Sequence, residues 1–301
     1  MPLSDRKGFI TGSSGFVGTS VLRSFDLDDF QILSRNNSIK LDGVQYILHL
    51  AGKAHDLKNT SKSDDYYQVN TELTKKVFDS FLNSNAKVFI TLSSVKAVAD
   101  EIDIELTEEH NANPITHYGK SKRLAEEYIL SKKIPDGKRV YILRPCMIHG
   151  PGNKGNLNLL YKIASKGIPW PLGAFTNKRS FCSIDNLMFI IKELIEREDI
   201  PSGVYNVADD EALSTNDVIS ILAKSLNRKP KIWNFSKGLI QFLAKLGDVF
   251  RFPLTTERLK KLTESYVVSN QKIKSAIGKD LPVAAEDGLL MTFNSFYNSA
   301  Q

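Results

Sequence analysis

The chain is poor in cysteine, in long apolar runs and in low-complexity sequence, and each shortage excludes a class of protein. Cys146 and Cys182 are its only cysteines, too few for a disulfide framework or a cysteine-rich metal cluster, which fits a reducing compartment. No apolar run approaches the roughly 20 residues that a membrane-spanning helix needs. The first residues lack the apolar segment of a secretory signal. We therefore expect a cytoplasmic protein with no metal site and no membrane partner.

The chain also has only a small excess of positive charge. The 40 lysines and arginines outnumber the 34 acidic residues only slightly, for a formal charge of +6. Nucleic-acid binding calls for a concentrated basic stripe or a known module. The densest basic group, Arg258 with Lys260 and Lys261, has the spacing of a solvated helix face. The balance suits an anionic small substrate without requiring one, and we expect no nucleic-acid partner.

Short apolar runs alternate with helical patterns in the first half of the chain, which is typical of βα units around a parallel sheet. The length of 301 residues allows one large core or two closely joined lobes. Beyond residue 150, proline, glycine and asparagine become frequent. The predicted strands are 7–11, 30–33, 45–50, 87–92, 139–144 and 203–207. The predicted helices lie near 15–25, 65–84, 116–132, 156–166, 185–197 and 214–226.

A glycine-rich turn follows the first predicted strand. Gly12 permits the tight turn, Gly15 lets the backbone approach a pyrophosphate, and Gly18 lets the next helix pack against the strand. The free N–H groups at the helix N-terminus would then face the phosphates. The alternative is a plain glycine-rich helix entry. The strand before the turn and the helix after it are the context that dinucleotide binding requires.

Tyr118 and Lys122 are four residues apart, which places both on one face of a helix. An ammonium group beside a phenol favours the phenolate and lowers the pKa of a tyrosine from its usual value near 10. Such a pair can exchange a proton with a carbonyl or a carbinol. An isolated match of this kind is more often a solvated helix face.

Two buried strands end in small or hydroxyl-bearing residues, at the edge where parallel sheets bind their ligands. The fourth predicted strand runs into Ser93 and Ser94, and a serine there can hydrogen-bond the same oxygen that Tyr118 protonates. The alternative is a serine pair that caps a helix. The third predicted strand runs into Ala51 and Gly52, which leave room for a cofactor.

These and further motifs follow one another along the chain: Thr11-Gly12-x-x-Gly15-Phe16-x-Gly18, His49-Leu50-Ala51-Gly52, Ser93-Ser94, Tyr118-x-x-x-Lys122, Arg144-Pro145, His149-Gly150-Pro151-Gly152, Arg179-Ser180-Phe181, Gly203-Val204-Tyr205-Asn206-Val207 and Ser214. Their order and spacing resemble the extended short-chain dehydrogenases/reductases that modify nucleotide sugars. The resemblance implies an α/β fold, a Rossmann-type doubly wound parallel sheet with a smaller, mainly helical C-terminal substrate lobe. It assigns 1–150, rejoined by 181–209, to the NAD(P)-binding domain. It assigns 151–180 and 210–301 to the nucleotide-sugar-binding lobe.

The same resemblance implies roles for individual residues. Ser94, Tyr118 and Lys122 would be the catalytic triad, with Ser94 rather than Ser93 as its serine. Lys122 would also bond the nicotinamide ribose. Asn70 would steady the active-site backbone, unless it is a surface-helix asparagine. The implied cofactor-binding residues are Gly12, Ser14, Gly15, Phe16, Val17, Gly18, Ser34, Arg35, Leu50, Ala51, Gly52, Asn70, Ser93, Tyr118, Lys122 and Pro145.

Ser34 and Arg35 follow the second predicted strand, where an aspartate would bond the adenosine ribose 2′-hydroxyl. An arginine there can pair with a 2′-phosphate. We therefore expect NADP(H) in preference to NAD(H), which stays possible. The alternative is that Arg35 is a surface charge.

The substrate implied by the resemblance is a nucleotide sugar, most simply one linked to UDP. Arg179 would clamp its diphosphate, because a planar guanidinium fork suits two adjacent phosphates. Ser94, Asn156 and Arg258 are the other implied substrate contacts. Trp170 would form a nucleobase wall or belong to the core.

Hydride transfer at C4 of the hexose is the implied reaction, through either 4-epimerisation or reduction of a 4-keto sugar. A likeness to reductases of surface-polysaccharide precursors favours the reductase slightly; the segments that carry it are 93–96, 152–156, and 169–173 with 177–180. Val95 and Lys96 stand where a dehydratase needs acidic residues, which argues against dehydration. A non-catalytic redox sensor on the same fold is the alternative of another class. The resemblance also implies a homodimer that pairs the helices near 65–84 and 116–132.

Overall fold

The computed structural model of the chain describes residues 7–25, 30–33, 39–53, 62–153, 155–250 and 254–298, without the side chains of Asn156 and Asn298. The strands are β1 (Gly8–Thr11), β2 (Phe30–Ile32), β3 (Tyr46–His49), β4 (Val88–Leu92), β5 (Arg139–Pro145), β6 (Met147–His149), β7 (Phe181–Ser183) and β8 (Gly203–Val207). Six of them form one parallel sheet in the order β2-β1-β3-β4-β5-β8, and β6 pairs with β7. The predicted strands are confirmed to within one or two residues at each end.

Helices cover both faces of this sheet and build the rest of the molecule. They are α1 (Phe16–Ser24), α2 (Ser63–Tyr66), α3 (Leu73–Leu82), α4 (His117–Leu130), α5 (Asn156–Ser165), α6 (Ile184–Glu196), α7 (Thr215–Ser225), α8 (Lys237–Phe250), α9 (Thr256–Thr263), α10 (Gln271–Ile277) and α11 (Ala285–Asn298). The single helix predicted near 65–84 is interrupted by a π-helical segment, Tyr67–Glu72. No helix is predicted from the sequence after residue 226, and the described residues form four there, α8 to α11.

The main sheet is buried on both faces, which is why its strands are continuous apolar runs rather than alternating ones. Leu48 and Ile90 face a core cluster with the apolar residues of α6. Their neighbours Ile47 and Phe89 face the opposite cluster, with residues of α3. Successive side chains of a strand point to opposite faces, so the two clusters lie in separate layers. The predicted α/β fold with a doubly wound parallel sheet is confirmed.

A second group of helices has its own apolar clusters. One cluster joins α5, α7 and α11. Another joins α8 and α9 to Trp170 and Leu172. Within the described residues no helix is both long and apolar enough to cross a bilayer. The division of the chain into two domains at residues 150, 181 and 209 stays a prediction. Ile273 and Ile277 of α10, which that division assigns to the nucleotide-sugar-binding lobe, pack into the core of the main sheet.

A buried ion pair links α4 to β5 of the main sheet. The Arg144 guanidinium donates to the Glu126 carboxylate through Nε at 2.9 Å and through a terminal nitrogen at 2.7 Å. The two side chains are only 4% and 1% exposed. Such a pair is costly to break, because the charge that remains has no solvent.

We expect Arg144→Met to lower the free energy of unfolding by about 3–5 kcal/mol, since the Glu126 carboxylate would be left buried without its partner. The double variant Arg144→Met/Glu126→Leu should recover most of this loss. Arg123→Ala is the control, because Arg123 is 31% exposed and its pairs with Glu126 and Glu127 should contribute about 1 kcal/mol or less. Urea unfolding measures all three. Strictly additive losses in the double variant would contradict the coupling.

Candidate active site

The glycine-rich turn closes tightly on the end of β3. Gly12 has φ +73°, and a Cβ there would lie 2.5 Å from the Ala51 nitrogen. A Cβ on Gly18 would collide with the Gly12 carbonyl oxygen. Gly15 is the N-cap of α1 and makes no side-chain cap, and no acidic residue lies in the first turn. The first N–H groups of α1 therefore remain available to an anion.

Thr11 and His49 fix the strand ends on either side of this turn. Thr11 Oγ1 lies 2.8 Å from His49 Nδ1 and accepts from the Ala51 N–H at 3.1 Å. His49 Nε2 lies 2.9 Å from Thr74 Oγ1. Burial, with a contribution from Lys122, lowers the pKa of His49 from 6.5 to about 3. His49 is therefore a neutral clamp between β1, β3 and α3.

Lys122 and Asn70 stand against Gly52. A Cβ on Gly52 would lie 3.0 Å from the Lys122 ammonium nitrogen and 3.3 Å from Asn70 Oδ1. Asn70 is fully buried, which excludes the surface-helix alternative. Its amide donates to the Lys53 carbonyl at 3.1 Å and to Ser121 Oγ at 3.0 Å, and its oxygen accepts from the Lys53 N–H at 2.8 Å. Asn70 thus ties the segment after β3 to α4.

Asn70 lies in the π-helical segment Tyr67–Glu72, where the helix contains one extra residue. π-Helical turns are rare and occur often at functional sites. Thr71, next to Asn70, donates to the Ser121 carbonyl at 2.8 Å. Two consecutive side chains of the segment thereby reach the same residue of α4.

Ser94, Tyr118 and Lys122 meet at the carboxyl end of β4. The side chains of Ser94 and Tyr118 are hydrogen-bonded to each other. Lys122 donates from its ammonium nitrogen to the Leu92 carbonyl at 2.8 Å. Ser94 and Lys122 are buried and Tyr118 is half-buried, which excludes the solvated-face alternative for the Tyr118/Lys122 pair.

The pKa values of this group differ from the expectation drawn from spacing. Burial raises the pKa of Tyr118 above 10, although the hydrogen bond with Ser94 acts to lower it. Burial also lowers the pKa of Lys122 from 10.5 to about 8, against the raising effect of Glu126. The predicted lowering of the Tyr118 pKa is therefore wrong for this structure. Desolvation penalises the charged form of both groups and is the largest cause of each shift.

A close approach of α4 to the turn after β4 holds Tyr118 beside Ser94. A Cβ on Gly119 would collide with the Lys96 carbonyl oxygen, so only glycine allows this packing. Ser94 caps a short 3₁₀ turn, Val95–Ala97, by accepting from the Lys96 N–H at 3.2 Å. The sequence analysis assigned no role to Gly119.

Asp100 anchors the N-terminus of α4, and sequence reasoning missed it. Its carboxylate accepts from the Ile115 N–H at 2.7 Å, from the Thr116 N–H at 3.1 Å and from the Thr116 hydroxyl at 3.1 Å. Thr116 in turn caps α4 by accepting from the Gly119 N–H at 3.1 Å. Nothing in the local sequence marks Asp100, because its partners are 15 and 16 residues away.

Arg179 lies in a cluster of charged residues where the segment 177–180 meets the segment 264–268. It donates to the Glu264 carboxylate at 2.6 Å and, through Nε, to the Glu264 carbonyl at 3.2 Å. Lys96 stacks on the Tyr266 ring, with its nitrogen 4.2 Å from the centroid. Burial lowers the pKa of Lys96, and the nearby Arg179 adds to this, whereas Asp100 and Glu264 act to raise it. Two cations therefore share this region with two carboxylates.

The remaining predicted residues fall outside these contacts. Ser34 and Arg35 lie outside the described residues. Asn156 is the first residue of α5, and its side chain is not among those that the structure describes. Arg258 is on the exposed side of α9. Trp170 is 6% exposed and packs with α8 and α9, so it belongs to the core rather than to an open nucleobase wall.

The residues present fit a nicotinamide dinucleotide. The glycine turn and the open α1 N-terminus provide the pyrophosphate cradle, and Ser14, Phe16 and Val17 follow Gly12 within that turn. Leu50, Ala51 and Gly52 line the adjoining strand end, and Pro145 ends β5. Ser93 Oγ is buried and, among the described residues, lacks a hydrogen-bond partner. That orphaned hydroxyl beside Lys122 and Asn70 suits a polar group that a cofactor would bring. The described residues include no cluster of three or more His, Cys, Asp or Glu side chains that could hold a metal.

Comparison with known proteins agrees with this geometry. The model of the NAD dependent epimerase/dehydratase family matches residues 24–208. A UDP-glucose 4-epimerase of Vibrio cholerae is 30% identical, over 95% of this chain and 94% of its own. An N-acetyl-alpha-D-glucosaminyl-diphospho-ditrans,octacis-undecaprenol 4-epimerase of Escherichia coli O157:H7 is 30% identical, over 88% of this chain and 83% of its own.

Solved structures share the fold at lower identity. A UDP-glucuronic acid 4-epimerase from Bacillus cereus in complex with NAD superposes with a TM-score of 0.74 at 19% identity, over 98% of this chain and all of that one. RMD from Pseudomonas aeruginosa complexed with NADPH gives a TM-score of 0.72 at 19% identity, over the same shares. The chain belongs to the NAD-dependent epimerase/dehydratase family and is an enzyme of the short-chain dehydrogenase/reductase type.

We expect Asp100→Ala to lower kcat by about tenfold, because loosening the α4 N-terminus misplaces the Tyr118 oxygen. Cofactor affinity, measured by titration, should change by less than about twofold. Asp100→Asn, which keeps an acceptor, should restore part of the rate. Asp103→Ala removes a carboxylate from an exposed position nearby and is the matched control. A loss of stability without a change in kcat would show that Asp100 only supports the fold.

Proposed function

We propose that this enzyme is a 4-epimerase of a hexose carried on a diphosphate, most simply a UDP-hexose. The observation that carries the proposal is the hydrogen bond of half-buried Tyr118 with buried Ser94, beside buried Lys122 at the strand end that adjoins the glycine cradle. The names of the two relatives support it, since both are 4-epimerases of diphosphate-linked sugars.

In this proposal the residues of the chain move a proton and exclude water. A nicotinamide bound in the cradle would supply the acceptor and donor of the C4 hydride. Tyr118 exchanges the proton of the C4 hydroxyl, and Ser94 holds the same oxygen through its own hydroxyl. The raised pKa of Tyr118 favours the protonated phenol, which is the donor that the return of a proton to the 4-keto oxygen needs. The oxidation of C4 that precedes it needs the phenolate as the proton acceptor. The Lys122 ammonium would favour the phenolate once the proton has left.

Arg179 is proposed to contact the diphosphate. Glu264 holds its guanidinium in place, and Arg179 remains 19% exposed, so part of the fork is accessible. Lys96 adds a second positive charge in the same region. Asn156 and Arg258 stay predicted contacts. We propose uridine as the group that the diphosphate carries besides the sugar. The E. coli relative is instead named for a polyprenol at that position.

Reduction of a 4-keto sugar is the second candidate, and the sequence likeness of 93–96 and 152–156 to reductases favours it. Lys96, in the first of these segments, lies over the Tyr266 ring in the charged cluster. A role in surface-polysaccharide precursor synthesis is likewise a proposal from that resemblance. Both reactions use the same three side chains, so the distinction lies in the fate of the cofactor.

The test is stoichiometric. We expect purified enzyme to interconvert UDP-glucose and UDP-galactose, or the N-acetylated pair, without net consumption of added cofactor. Tyr118→Phe should lose about 10²–10⁴ in kcat, the usual share of general acid/base catalysis, and still bind cofactor. One NADPH oxidised per molecule of a UDP-4-keto-hexose would instead establish the reductase. Cofactor binding without turnover of any sugar would favour the redox sensor.

We further propose that NADP(H) binds more tightly than NAD(H), through the predicted pairing of Arg35 with the 2′-phosphate. Arg35→Ala should weaken NADP(H) by about tenfold or more and leave NAD(H) nearly unchanged. Fluorescence titration of both reduced cofactors measures this. Arg23→Ala, at the far end of α1, is the control for general loss of positive charge. An unchanged ratio of the two affinities would remove Arg35 from cofactor selection.

A further inference from the structure

Helix α8 exposes a broad apolar surface. Leu239, Phe242, Leu243 and Val249 are 44% to 73% exposed, and Leu246 lies between them on the same face. At 100° per residue these five side chains, here called the α8 stripe, cover an arc of roughly 120°. The stripe is not the buried side of the helix, because Ile240, Ala244 and Gly247 pack on a different face.

A second exposed apolar group lies just before the helix. Trp233 and Phe235 are 53% and 40% exposed, and their rings meet edge to face with centroids 5.8 Å apart. The backbone on either side of Trp233 is fixed, since Ile232 and Asn234 form bridges to Trp170 and Leu172. The backbone therefore holds the two rings outward. Large exposed apolar patches on proteins mark interaction surfaces.

The charges around these side chains have one dominant sign. Residues 228–250 include five basic residues and a single acidic one, Asp248. Asp248 is already engaged, because its oxygens accept from the Thr256 N–H at 3.0 Å and from the Thr256 hydroxyl at 2.7 Å. The four lysines of the segment are all exposed: Lys229, Lys231, Lys237 and Lys245.

We propose that the α8 stripe, with Trp233 and Phe235, is a docking surface for an anionic lipid bilayer. A helix with an apolar face, a lysine-bearing polar face and an aromatic residue nearby lies in the plane of a membrane surface. Tryptophan favours the level of the head groups, and lysines gain from anionic lipid. The expectation of no membrane partner rested on the length needed to span a bilayer, which a surface helix does not require.

The charge pattern separates a bilayer from a second copy of this chain. A two-fold interface brings a patch against itself, so a dimer through the α8 stripe would oppose two sets of lysines. Like charges across an interface are unfavourable. An anionic surface neutralises the same lysines. The surface proposed here is also separate from the helices near 65–84 and 116–132 that the resemblance assigns to a dimer.

The test uses the full chain without substrate, so it is independent of the proposed reaction. The chain has two tryptophans, and Trp170 is buried, so Trp233 is the solvent-exposed reporter. In a Trp170→Phe background we expect its emission to shift to the blue, and acrylamide quenching to fall, on addition of phosphatidylglycerol-containing vesicles. Co-sedimentation with these vesicles should exceed that with pure phosphatidylcholine by about tenfold and decline at high salt.

Phe242→Asp should weaken vesicle binding by about tenfold or more while turnover of soluble substrate and the far-UV circular dichroism stay unchanged. Ile104→Asp is the matched control, because Ile104 is 70% exposed but distant in sequence from α8, and it should bind vesicles as wild type does. Equal losses in the two variants would overturn the proposal. So would a wild-type protein that ignores anionic vesicles, or a Phe242→Asp change that only converts a dimer into monomers.

Discussion

The packing of α4 against the turn after β4 is the contact on which the site depends. Gly119 allows the helix to touch the Lys96 carbonyl oxygen, and this places Tyr118 within hydrogen-bonding reach of Ser94. The contact is held at two points. Asp100 anchors the residues just before the helix, and the buried Arg144–Glu126 pair ties α4 to β5. A displacement of α4 by about 1 Å would change no residue of the sequence and would still move the Tyr118 hydroxyl away from that of Ser94.

The elements of the sheet were accessible to sequence reasoning because burial on both faces requires continuous apolar runs. The glycine turn was accessible because it depends on local spacing at the end of a strand. The meeting of Ser94 with Tyr118 followed from the resemblance to a known family rather than from local spacing. Longer-range partners were not. Asp100 and Glu264 act on residues 15 to 85 positions away, and no local pattern records those distances.

One expectation failed, and one open question was decided, where the exposure of a side chain to solvent determines the outcome. The Tyr118/Lys122 spacing predicted a lowered phenol pKa, but spacing cannot express how deeply both groups are buried. The sequence left two interpretations of Trp170 open, a nucleobase wall or a core residue. Its packing with α8 and α9 shows that it belongs to the core. The α8 stripe was not predicted, because in sequence a helix that exposes apolar residues resembles a helix that buries them.

The π-helical segment Tyr67–Glu72 makes the chain sensitive to its exact length. A π-turn is an α-helix that contains one residue too many, and removing one residue would restore regular α-helical pairing. All residues on one side of the deletion would then rotate by roughly 100° about the helix axis relative to the other side. Tyr66, whose ring meets that of Tyr118 edge to face, would leave the site, and Asn70 would lose its place between Lys53 and Ser121. At this position, therefore, the number of residues matters as much as their identity.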